Sequence, residues 1–467
     1  MKKHSSSIDS VVLFRNSQGT EGRGTLLHLT RNLVVFEVYN PYSIVQLSEV
    51  LQDLRILRGE RALYTGRAVV SNLVPTGLMV IVSATLVDPW SDLVGLAPGQ
   101  GLREEVERFV HEWDFNYAIR PSYRLTISRI RAFLSDISRL LDQVDVAADA
   151  KSMDSSSDMQ RELFEEIEKP IVPKIEELLN LFEIEASQIP PEEVSAHKTF
   201  AHHELHPLFL CSPYVHRIYT KPLGYAGDYE MVNMMLRDPF EGQNTYAKLV
   251  NFSCLQQLPV KAHQNRIEML ETKLKDEAEK LARTGRLLQL LNVGCGPAVE
   301  IQKFIKHDEL SQKCKFHLLD FNEETINYAR ERLNEAAVHA GRKPYFQFIH
   351  KSIHELLKEI ARHGKLSPDC PFDFIYCAGL FDYLSDRICK RLMQIFYDSL
   401  ASGGLLLVTN VHPKNPTRYF MEHLAEWHLI YRSENDMADL AFPLKYNSIY
   451  TDQTGVNVFL EIRKEGS

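Results

Sequence analysis

The spacing of hydrophobic residues changes along the chain and divides the sequence into regions. From about residue 10 to about residue 90, short apolar runs such as VVLFR, GTLLHLT and GLMVIVSATL are separated by Gly, Asn or Pro. Runs of this length that are rich in Val, Leu, Thr and Tyr predict β-strands, and several such strands at close spacing indicate a small barrel or sandwich. We therefore predict a small β-barrel domain over residues 1–97.

The apolar positions of residues 98–197 follow a helical period instead. The runs YRLTISRIRAFLSDISRLLDQV and QRELFEEIEKPIVPKIEELLNLF place apolar residues near 3.6-residue spacing, which predicts two helices. Pro170 and Pro173 predict a break in the second helix, and the Ser-rich stretch 151–158 predicts a loop between the helices. We interpret residues 98–197 as a helical connector. Its apolar stripes fit either packing against a neighbouring domain or a homodimer formed through the connector or the barrel.

Residues 198–280 differ in composition and hydrophobic pattern from the two regions before them. His, Tyr, Pro and Gly are crowded together between residues 198 and 234 without a clear period. This composition predicts an ordered segment rich in loops, and loops carry binding and catalytic residues more often than cores do. We therefore interpret residues 198–280 as a loop-rich and helical lid or substrate segment.

From residue 281 onward, predicted strands and helices alternate. The apolar run LLQLLNV suits a buried parallel strand, and it is followed by the turn GCGPA at 294–298 and by the helical segment VEIQKFIK. A strand, a glycine turn and a helix in this order form a nucleotide-binding unit. Gly294 permits a tight turn, and Gly296 lets the backbone approach a ligand where a Cβ would clash.

The end of the next predicted strand carries a carboxylate. Asp320 lies where two hydrogen bonds would hold a ribose diol, and its alternative role is to cap the helix that follows. The glycine turn and this carboxylate fit either NAD or S-adenosylmethionine. The NAD fingerprint requires glycine at the position of Val299, whereas the methyltransferase pattern requires a small residue one position earlier and finds Ala298.

The later predicted strands complete the pattern. The third is followed by Lys351, the fourth ends in YCAG at 376–379, and a glycine pair precedes the fifth. This βαβαβαβαβ order strongly resembles the class I S-adenosylmethionine-dependent methyltransferases over about residues 287–463. The resemblance implies a Rossmann-like α/β domain with a mostly parallel seven-stranded sheet over residues 281–467. It also implies S-adenosyl-L-methionine as the cofactor.

The expected cofactor contacts come from these turns and from the segment before the domain. We expect Tyr225, Gly227 and Asp228 to form a lid against the methionine end. Arg266 is expected to pair with the methionine carboxylate, since a guanidinium fits a carboxylate bidentately; a salt bridge on a helix surface is its alternative. The complete set of predicted cofactor contacts is Tyr225, Gly227, Asp228, Arg266, Asn292, Gly294, Cys295, Gly296, Asp320, Phe321, Lys351, Ser352, Ile353, Cys377, Ala378 and Gly379.

Composition narrows the function further. The 467 residues predict about three domains of roughly 150 residues each. The net charge of -9 argues against a nucleic-acid partner, because phosphates attract basic proteins. The cysteines form no CxxC pair and no zinc-ligand spacing, which predicts no metal site and a reducing, cytoplasmic location. No apolar run approaches the roughly 18 residues that a membrane span needs, so we expect none.

Three passages point to a particular group of methyltransferases: SPYVHR at 212–217, PLGYAGDYEM at 222–231 and AHQNRI at 262–267. They resemble the bacterial 3-hydroxy-fatty-acid (3-hydroxypalmitate) methyl ester synthases, which make quorum signals. The resemblance implies an O-methyltransferase that transfers methyl directly, in an SN2 step, to the carboxylate of a small or fatty (3-hydroxy) acid.

A carboxylate acceptor requires particular binding partners in the site. It is ionised at pH 7 and needs no general base, but it must be aligned and needs cationic or hydrogen-bonding partners. For each candidate histidine, an ordinary structural hydrogen bond is the alternative. The candidate acceptor-binding and catalytic residues are Tyr214, His216, Arg217 and His412, with His202 and His203 as further donors.

The N-terminal domain resembles a PilZ-like domain, a small barrel known for binding cyclic di-GMP. The (D/N)xSxxG turn of that family aligns with HLTRNL at 28–33, which lacks both the acidic or amide residue and the glycine. No RxxxR segment precedes it. We therefore expect a degenerate barrel that serves as an interaction or regulatory module and does not bind cyclic di-GMP.

Two other functions stay open at this point. The same fold would also suit a methyltransferase that acts at N, O or S of another small metabolite. Alternatively, a non-catalytic protein would sense S-adenosylmethionine and signal through the barrel and helices.

Overall fold

The computed structural model contains a β-barrel, a helical region and an α/β domain. The predicted barrel boundary at residue 97 and part of the predicted loop, residues 151–156, lie outside the described residues. The structure describes residues 10–39, 45–58, 61–75, 79–90, 107, 119–150, 157–363, 366 and 371–465.

The described N-terminal strands close into a barrel. Its strands are β1 (Ser10–Arg15), β2 (Glu21–Leu29), β3 (Leu33–Tyr39), β4 (Val50–Arg58), β5 (Arg61–Pro75) and β6 (Met79–Leu86). They pair antiparallel in the order β1-β2-β3-β6-β5-β4, and β1 closes on β4. Alternate residues of a strand point to opposite faces, so Val80, Val82 and Ala84 of β6 fill the interior. The predicted small barrel is confirmed.

A helical region follows the barrel. Its helices are α1 (Pro121–Ala150), α2 (Ser157–Ser187), α3 (Val194–Phe209), α4 (Pro213–Thr220), α5 (Tyr229–Leu236), α6 (Thr245–Leu255) and α7 (Leu258–Ala282). The expected break in α2 is wrong, because the helix continues through Pro170 and Pro173. Burial of Ile171 and Ile175 beside these prolines offsets the backbone hydrogen bonds that proline removes.

The segment between residues 198 and 234 is more helical than its composition indicates. Most of it lies in α3, α4 and α5, and the main loop is residues 221–228. The helices α4 and α5 have eight residues each, which is too short to show a period in the sequence. Their starts are nevertheless visible, since Ser212 and Asp228 accept N-cap hydrogen bonds from Val215 N and Met231 N.

A shared hydrophobic core joins the helical region to the C-terminal domain. Buried side chains from α1 to α7 pack together with Met421, Leu424 and Trp427. The predicted boundary between residues 197 and 198 falls inside α3. The connector and lid segments are therefore packed as one body among the described residues.

The described C-terminal residues form a seven-stranded sheet covered by helices. Its elements are β7 (Leu288–Val293), α8 (Val299–His307), β8 (Cys314–Asp320), α9 (Glu323–His339), β9 (Tyr345–His350), α10 (Ile353–His363), β10 (Phe372–Cys377), α11 (Asp386–Ser399), β11 (Leu400–Val411), α12 (Arg418–His423), α13 (Glu434–Ala441), β12 (Ser448–Thr451) and β13 (Asn457–Arg463).

The strand order makes this a doubly wound sheet. The order is β12-β13-β11-β10-β7-β8-β9, and β13 alone among these strands runs antiparallel to the others. The chain reverses its winding direction between β7 and β10, and ligands of such sheets bind at the carboxyl ends of the strands at that point. The predicted mostly parallel seven-stranded Rossmann-like sheet is confirmed.

Buried charges mark the place where barrel, helices and C-terminal domain meet. We call Lys198, His202, Lys221, Glu426 and His428 the junction cluster. Lys198 Nζ lies 2.7 Å from Glu426 Oε2, and both side chains are almost fully buried. His428 Nε2 lies 3.2 Å from the same oxygen, and Lys221 Nζ donates to a backbone carbonyl at 3.1 Å. The cluster joins α3, the 221–228 loop and the chain after α12.

The barrel docks onto these elements through hydrogen bonds to their backbone atoms. Val50 N donates to Gly224 O at 2.7 Å, and the Ser48 hydroxyl donates to His428 O at 2.8 Å. Ser48 Oγ also accepts a hydrogen bond from His428 N. The start of β4 is thus fixed to the 221–228 loop. Separately, none of the described helices combines the length and hydropathy of a membrane span.

Candidate functional site

The glycine turn after β7 lies at the edge of the sheet where winding reverses. Gly294 and Gly296 have φ angles of 70° and 52°, a region that glycine adopts readily. Gly294 N and Cys295 N donate to Leu319 O at 2.8 and 3.0 Å, which fixes the turn to β8. A Cβ placed on Gly296 would meet no atom within 4 Å. The turn therefore faces open space.

Asp320 lies beside this turn at the end of β8. Its Oδ2 accepts a hydrogen bond from Gly296 N at 3.1 Å, and its Oδ1 accepts one from Asn322 N at 3.0 Å. Burial raises the pKa of Asp320. The helix-cap alternative is wrong, because Asn322 is the N-cap of α9 and accepts from Thr325 N. A carboxylate has about four lone-pair sites, so Asp320 keeps capacity to accept from a ligand.

A cavity of about 240 Å³ opens at the turn and at Asp320. Most predicted cofactor contacts line it: Tyr225, Gly227, Arg266, Asn292, Gly294, Cys295, Gly296, Asp320, Phe321, Lys351, Ile353, Ala378 and Gly379. Three do not. Asp228 caps α5, the Ser352 hydroxyl donates to Glu355, and Cys377 is buried inside the sheet.

Arg266 carries a positive charge into this cavity from α7. Its Nη2 donates to His263 Nδ1 at 2.8 Å, and none of the described carboxylates forms an ion pair with it. Desolvation lowers the pKa of Arg266, and Asp382 opposes this. A Cβ on Gly379 would lie 3.1 Å from Arg266 Nη1. The absence of a side chain at this position therefore leaves room for the guanidinium. The site thus presents a cation without an anionic partner.

His263 lies one helical turn before Arg266 and lines the same cavity. Because its Nδ1 accepts a hydrogen bond from Arg266, its proton lies on Nε2. Desolvation and the neighbouring guanidinium hold the pKa of His263 well below its ordinary value. The imidazole is therefore neutral. Among the described residues, nothing accepts a hydrogen bond from Nε2.

Beyond Arg266 and His263 the cavity wall becomes apolar. The helices α4, α5, α6 and α7 and the chain around α12 provide this wall. Its residues include Tyr214, Ile218, Met231, Val232, Met235, Cys254, Val260, Phe420, Met421, Trp427 and Leu429. We call this part of the cavity the apolar chamber.

The barrel also contributes to the cavity wall, which the sequence did not predict. Ser17, Gln18, Gln46, Leu47 and Glu49 all line it. They come from the β1–β2 turn and from the chain before β4, next to the docked 221–228 loop. Nothing in the local sequence signals this role, because it arises only when the barrel docks against the rest of the chain.

Two residues after β10 were also missed. Asp382 lines the cavity, and its Oδ1 accepts from Val411 N at 2.7 Å. Tyr383 accepts from Trp427 Nε1 at 2.9 Å and donates to Ala226 O at 3.3 Å, so it ties the 221–228 loop to the apolar chamber. Their position after the fourth parallel strand, at the carboxyl edge of the sheet, was the available signal.

A buried arginine holds the loop that carries these two residues. Arg432 Nη1 donates to Phe381 O and Nη2 donates to Leu384 O, both at 2.7 Å. Its Nη2 also lies 2.7 Å from Asp386. Arg432 is thus a positioning residue for the cavity edge.

The predicted acceptor-binding residues do not come together. Tyr214 lines the cavity. His216 is exposed on the opposite face of α4, and Arg217 Nε lies 2.9 Å from Asp228 Oδ1. His412 Nε2 lies 3.1 Å from Glu434, outside the cavity lining. The positive charge expected near residues 216 and 217 is therefore absent from the cavity.

The two further histidine candidates also lie elsewhere. His202 belongs to the junction cluster, where its Nε2 bonds to His423 O. His203 is exposed and lies 3.0 Å from Glu204. Both histidines therefore make ordinary structural contacts, which was the alternative to a role in acceptor binding.

Glu49 gives the barrel wall a testable pH dependence. Burial raises its pKa to about 7 from 4.5, and hydrogen bonds from Ser17 and Gln46 N oppose this rise. Between these pH values the folded protein binds more protons than the unfolded chain, so this contribution to the unfolding free energy falls as pH rises. Between pH 4.5 and 7.5, we expect the unfolding free energy of the wild type to fall by on the order of 3 kcal/mol more than that of E49Q. Urea titrations at a series of pH values measure this difference.

The matched control for this measurement is E21Q, which changes an exposed barrel carboxylate. It should leave the pH dependence of the wild type nearly unchanged. Parallel curves for E49Q and the wild type would contradict the prediction.

Residues 285–455 match the sequence model of the methyltransferase domain family. This range contains the glycine turn, Asp320 and the loop after β10. The protein therefore carries a methyltransferase domain, and it is an enzyme of the S-adenosyl-L-methionine-dependent class. No curated protein matches the chain.

Several solved structures are similar to the chain at low identity. A possible exported protein from Bordetella parapertussis is 15% identical over 54% of this chain and 86% of that one, with a TM-score of 0.42. N-methyltransferase NodS from Bradyrhizobium japonicum WM9, in complex with S-adenosyl-L-homocysteine, is 13% identical over 50% and 97%, with a TM-score of 0.32. Magnesium protoporphyrin IX methyltransferase from Synechocystis PCC 6803, with bound S-adenosyl-L-homocysteine, is 12% identical over 45% and 88%, with a TM-score of 0.32.

Proposed function

We propose that the protein methylates an oxygen of a small acceptor whose body is mainly apolar, with the carboxylate of a fatty or 3-hydroxy acid as the first acceptor class. The observation that carries this proposal is the continuity of the cavity. The glycine turn, Asp320 and Arg266 line the same cavity as the apolar chamber.

The polar part of the cavity fits S-adenosylmethionine. Arg266, a cation without an anionic partner, would hold the amino-acid carboxylate. Asp320 would accept hydrogen bonds from the ribose hydroxyls, and the open space at Gly296 admits the nucleoside close to the backbone. When bound, this cofactor supplies a methyl group on a positively charged sulfur, which is already activated for transfer.

The remaining task of the chain is to align the acceptor and exclude water. The apolar chamber does both, because a pocket lined by methionine, isoleucine and aromatic side chains binds an acyl chain or another apolar body and leaves little room for water. Tyr214 lines this chamber, and no hydrogen bond among the described residues involves the hydroxyl of its side chain. It would donate to a polar group of the acceptor.

A second candidate acceptor is a hydroxyl group, and Asp382 favours it. Burial raises the pKa of this cavity carboxyl to about 6, while the Val411 N–H and the guanidiniums of Arg266 and Arg432 oppose the rise. A carboxylate with a pKa near the working pH is suited to accept a proton from a hydroxyl during transfer. A carboxylate acceptor would not need this group.

The products distinguish the two candidates. We expect methyl-labelled S-adenosylmethionine to label decanoate or 3-hydroxydecanoate as methyl esters, from which alkali releases the label as volatile methanol. Decanol is the matched acceptor without a carboxylate, and its methyl ether is stable to alkali. Label found only in alkali-stable products would overturn carboxylate methylation and support the hydroxyl acceptor.

The role of the barrel is a separate part of the proposal. The expected interaction or regulatory role, the lack of cyclic di-GMP binding, the homodimer and the cytoplasmic location all stay predictions. The non-catalytic sensing role is not proposed, because residues 285–455 match a methyltransferase domain and the protein is an enzyme of that class.

A further inference from the structure

We propose that His263 positions the acceptor carboxylate by donating a hydrogen bond from Nε2 to the oxygen that is not methylated. This inference rests on the proposed function and names the acceptor-binding group of the same site. It replaces the donors that the sequence predicted at residues 216 and 217, which lie outside the cavity.

His263 lies where the polar part of the cavity meets the apolar chamber. It stands on α7 between Arg266, which is one turn further along the helix, and Val260, which is one turn earlier and belongs to the apolar chamber. An acceptor whose apolar body fills the chamber therefore presents its polar end at His263. The polar end of the acceptor would then also face the part of the cavity that is lined by Arg266 and the glycine turn.

The hydrogen bond to Arg266 carries the second step. Arg266 Nη2 donates to His263 Nδ1, so the ring has no second lone pair with which to accept a proton from the acceptor. Nε2–H is left as a pure donor. A donor that itself accepts from a charged group is polarised and becomes stronger. The carboxylate thus receives stabilisation from the guanidinium through the ring.

The chemistry of ester formation carries the third step. One carboxylate oxygen forms the bond to the methyl carbon while the S–CH3 bond breaks, and the electron pair of that bond stays on sulfur. No proton moves. A neutral donor on the other oxygen suits this step, because it fixes the carboxylate plane without blocking the attacking lone pair. The ester product retains a carbonyl oxygen for the same hydrogen bond.

Calorimetric titration of decanoate into the protein saturated with S-adenosylhomocysteine tests this positioning role. We expect H263F to weaken decanoate binding by about 10-fold to 100-fold, as for loss of a hydrogen bond to a charged group. H263Q offers an oxygen to Arg266 and an N–H to the acceptor, so it should bind decanoate within about threefold of the wild type. A purely structural role for the ring would not give this rescue.

The affinity for S-adenosylhomocysteine serves as the internal reference. The loss of decanoate affinity in H263F should exceed any loss of S-adenosylhomocysteine affinity by at least about tenfold. K261A changes an exposed residue of the same helix and should match the wild type in both titrations.

Two failures are distinguishable in this experiment. If the wild type does not bind S-adenosylhomocysteine, the proposed function fails. If it binds S-adenosylhomocysteine but not decanoate, or if H263F binds decanoate as the wild type does, the role of His263 is overturned while the cofactor site stands.

Discussion

R266L is expected to bind S-adenosylhomocysteine much more weakly, with Kd at least about 30-fold higher than in the wild type. Truncating one partner of a partly buried charge pair costs about 2–5 kcal/mol of binding energy, and each 1.4 kcal/mol is about tenfold. Arg266 is the cavity cation that the described carboxylates leave unpaired, so the ligand carboxylate would depend on it. Calorimetric titration measures the change directly.

The control for this variant is R283L, at the exposed end of the same helix. It removes the same charge from the chain but should leave Kd within about twofold of the wild type. In a thermal melt, S-adenosylhomocysteine should raise the Tm of R283L and of the wild type but not that of R266L, because a ligand stabilises only the fold that binds it. If R266L bound S-adenosylhomocysteine with wild-type affinity, Arg266 would not be part of the cofactor site.

K198M is expected to lower the free energy of unfolding by about 3–5 kcal/mol, the usual cost of removing one partner from a buried ion pair. The variant leaves Glu426 without its nearest cation. Glu426 Oε1 already has no hydrogen-bond partner, and its φ of 49° makes the local backbone costly to rearrange. Urea unfolding of the full chain measures the loss.

R131M is the matched control, because Arg131 forms an exposed pair with Glu204 on the same helical region. Exposed pairs contribute about 0–1 kcal/mol, so its cost should be several times smaller. The double variant K198M/E426Q should recover part of the loss, since it removes the stranded charge. Equal stabilities of K198M and R131M would mean that the junction cluster does not hold the three regions together.

The cofactor-binding edge of the sheet was predictable because its signals are local. A buried strand, a turn with two glycines and a helix occupy consecutive residues, and Asp320 ends the next strand. Both features therefore depend on chain order more than on packing. The Asp228 prediction shows the limit of this reasoning. The residue was predicted as part of the lid, but it uses its carboxylate to cap α5 and to pair with Arg217.

The acceptor side was predicted poorly for a different reason. Closeness in sequence does not determine the direction of a side chain. On α4, Tyr214 and Ile218 face inward with a helical period, which turns His216 to solvent. The N-cap at Ser212 and the proline after it were enough to recognise this helix. The barrel residues of the wall carried no such signal, since their role depends on docking between distant segments.

The barrel wall makes the shape of the cavity depend on a part of the chain outside the methyltransferase domain. A chain that begins after β6 would keep the glycine turn, Asp320 and Arg266, but its cavity would open to water beside the 221–228 loop. Substitutions in the β1–β2 turn would change the size and polarity of this part of the cavity wall. The shape of the cavity thus depends in part on a segment that lies more than 200 residues before the glycine turn in the sequence.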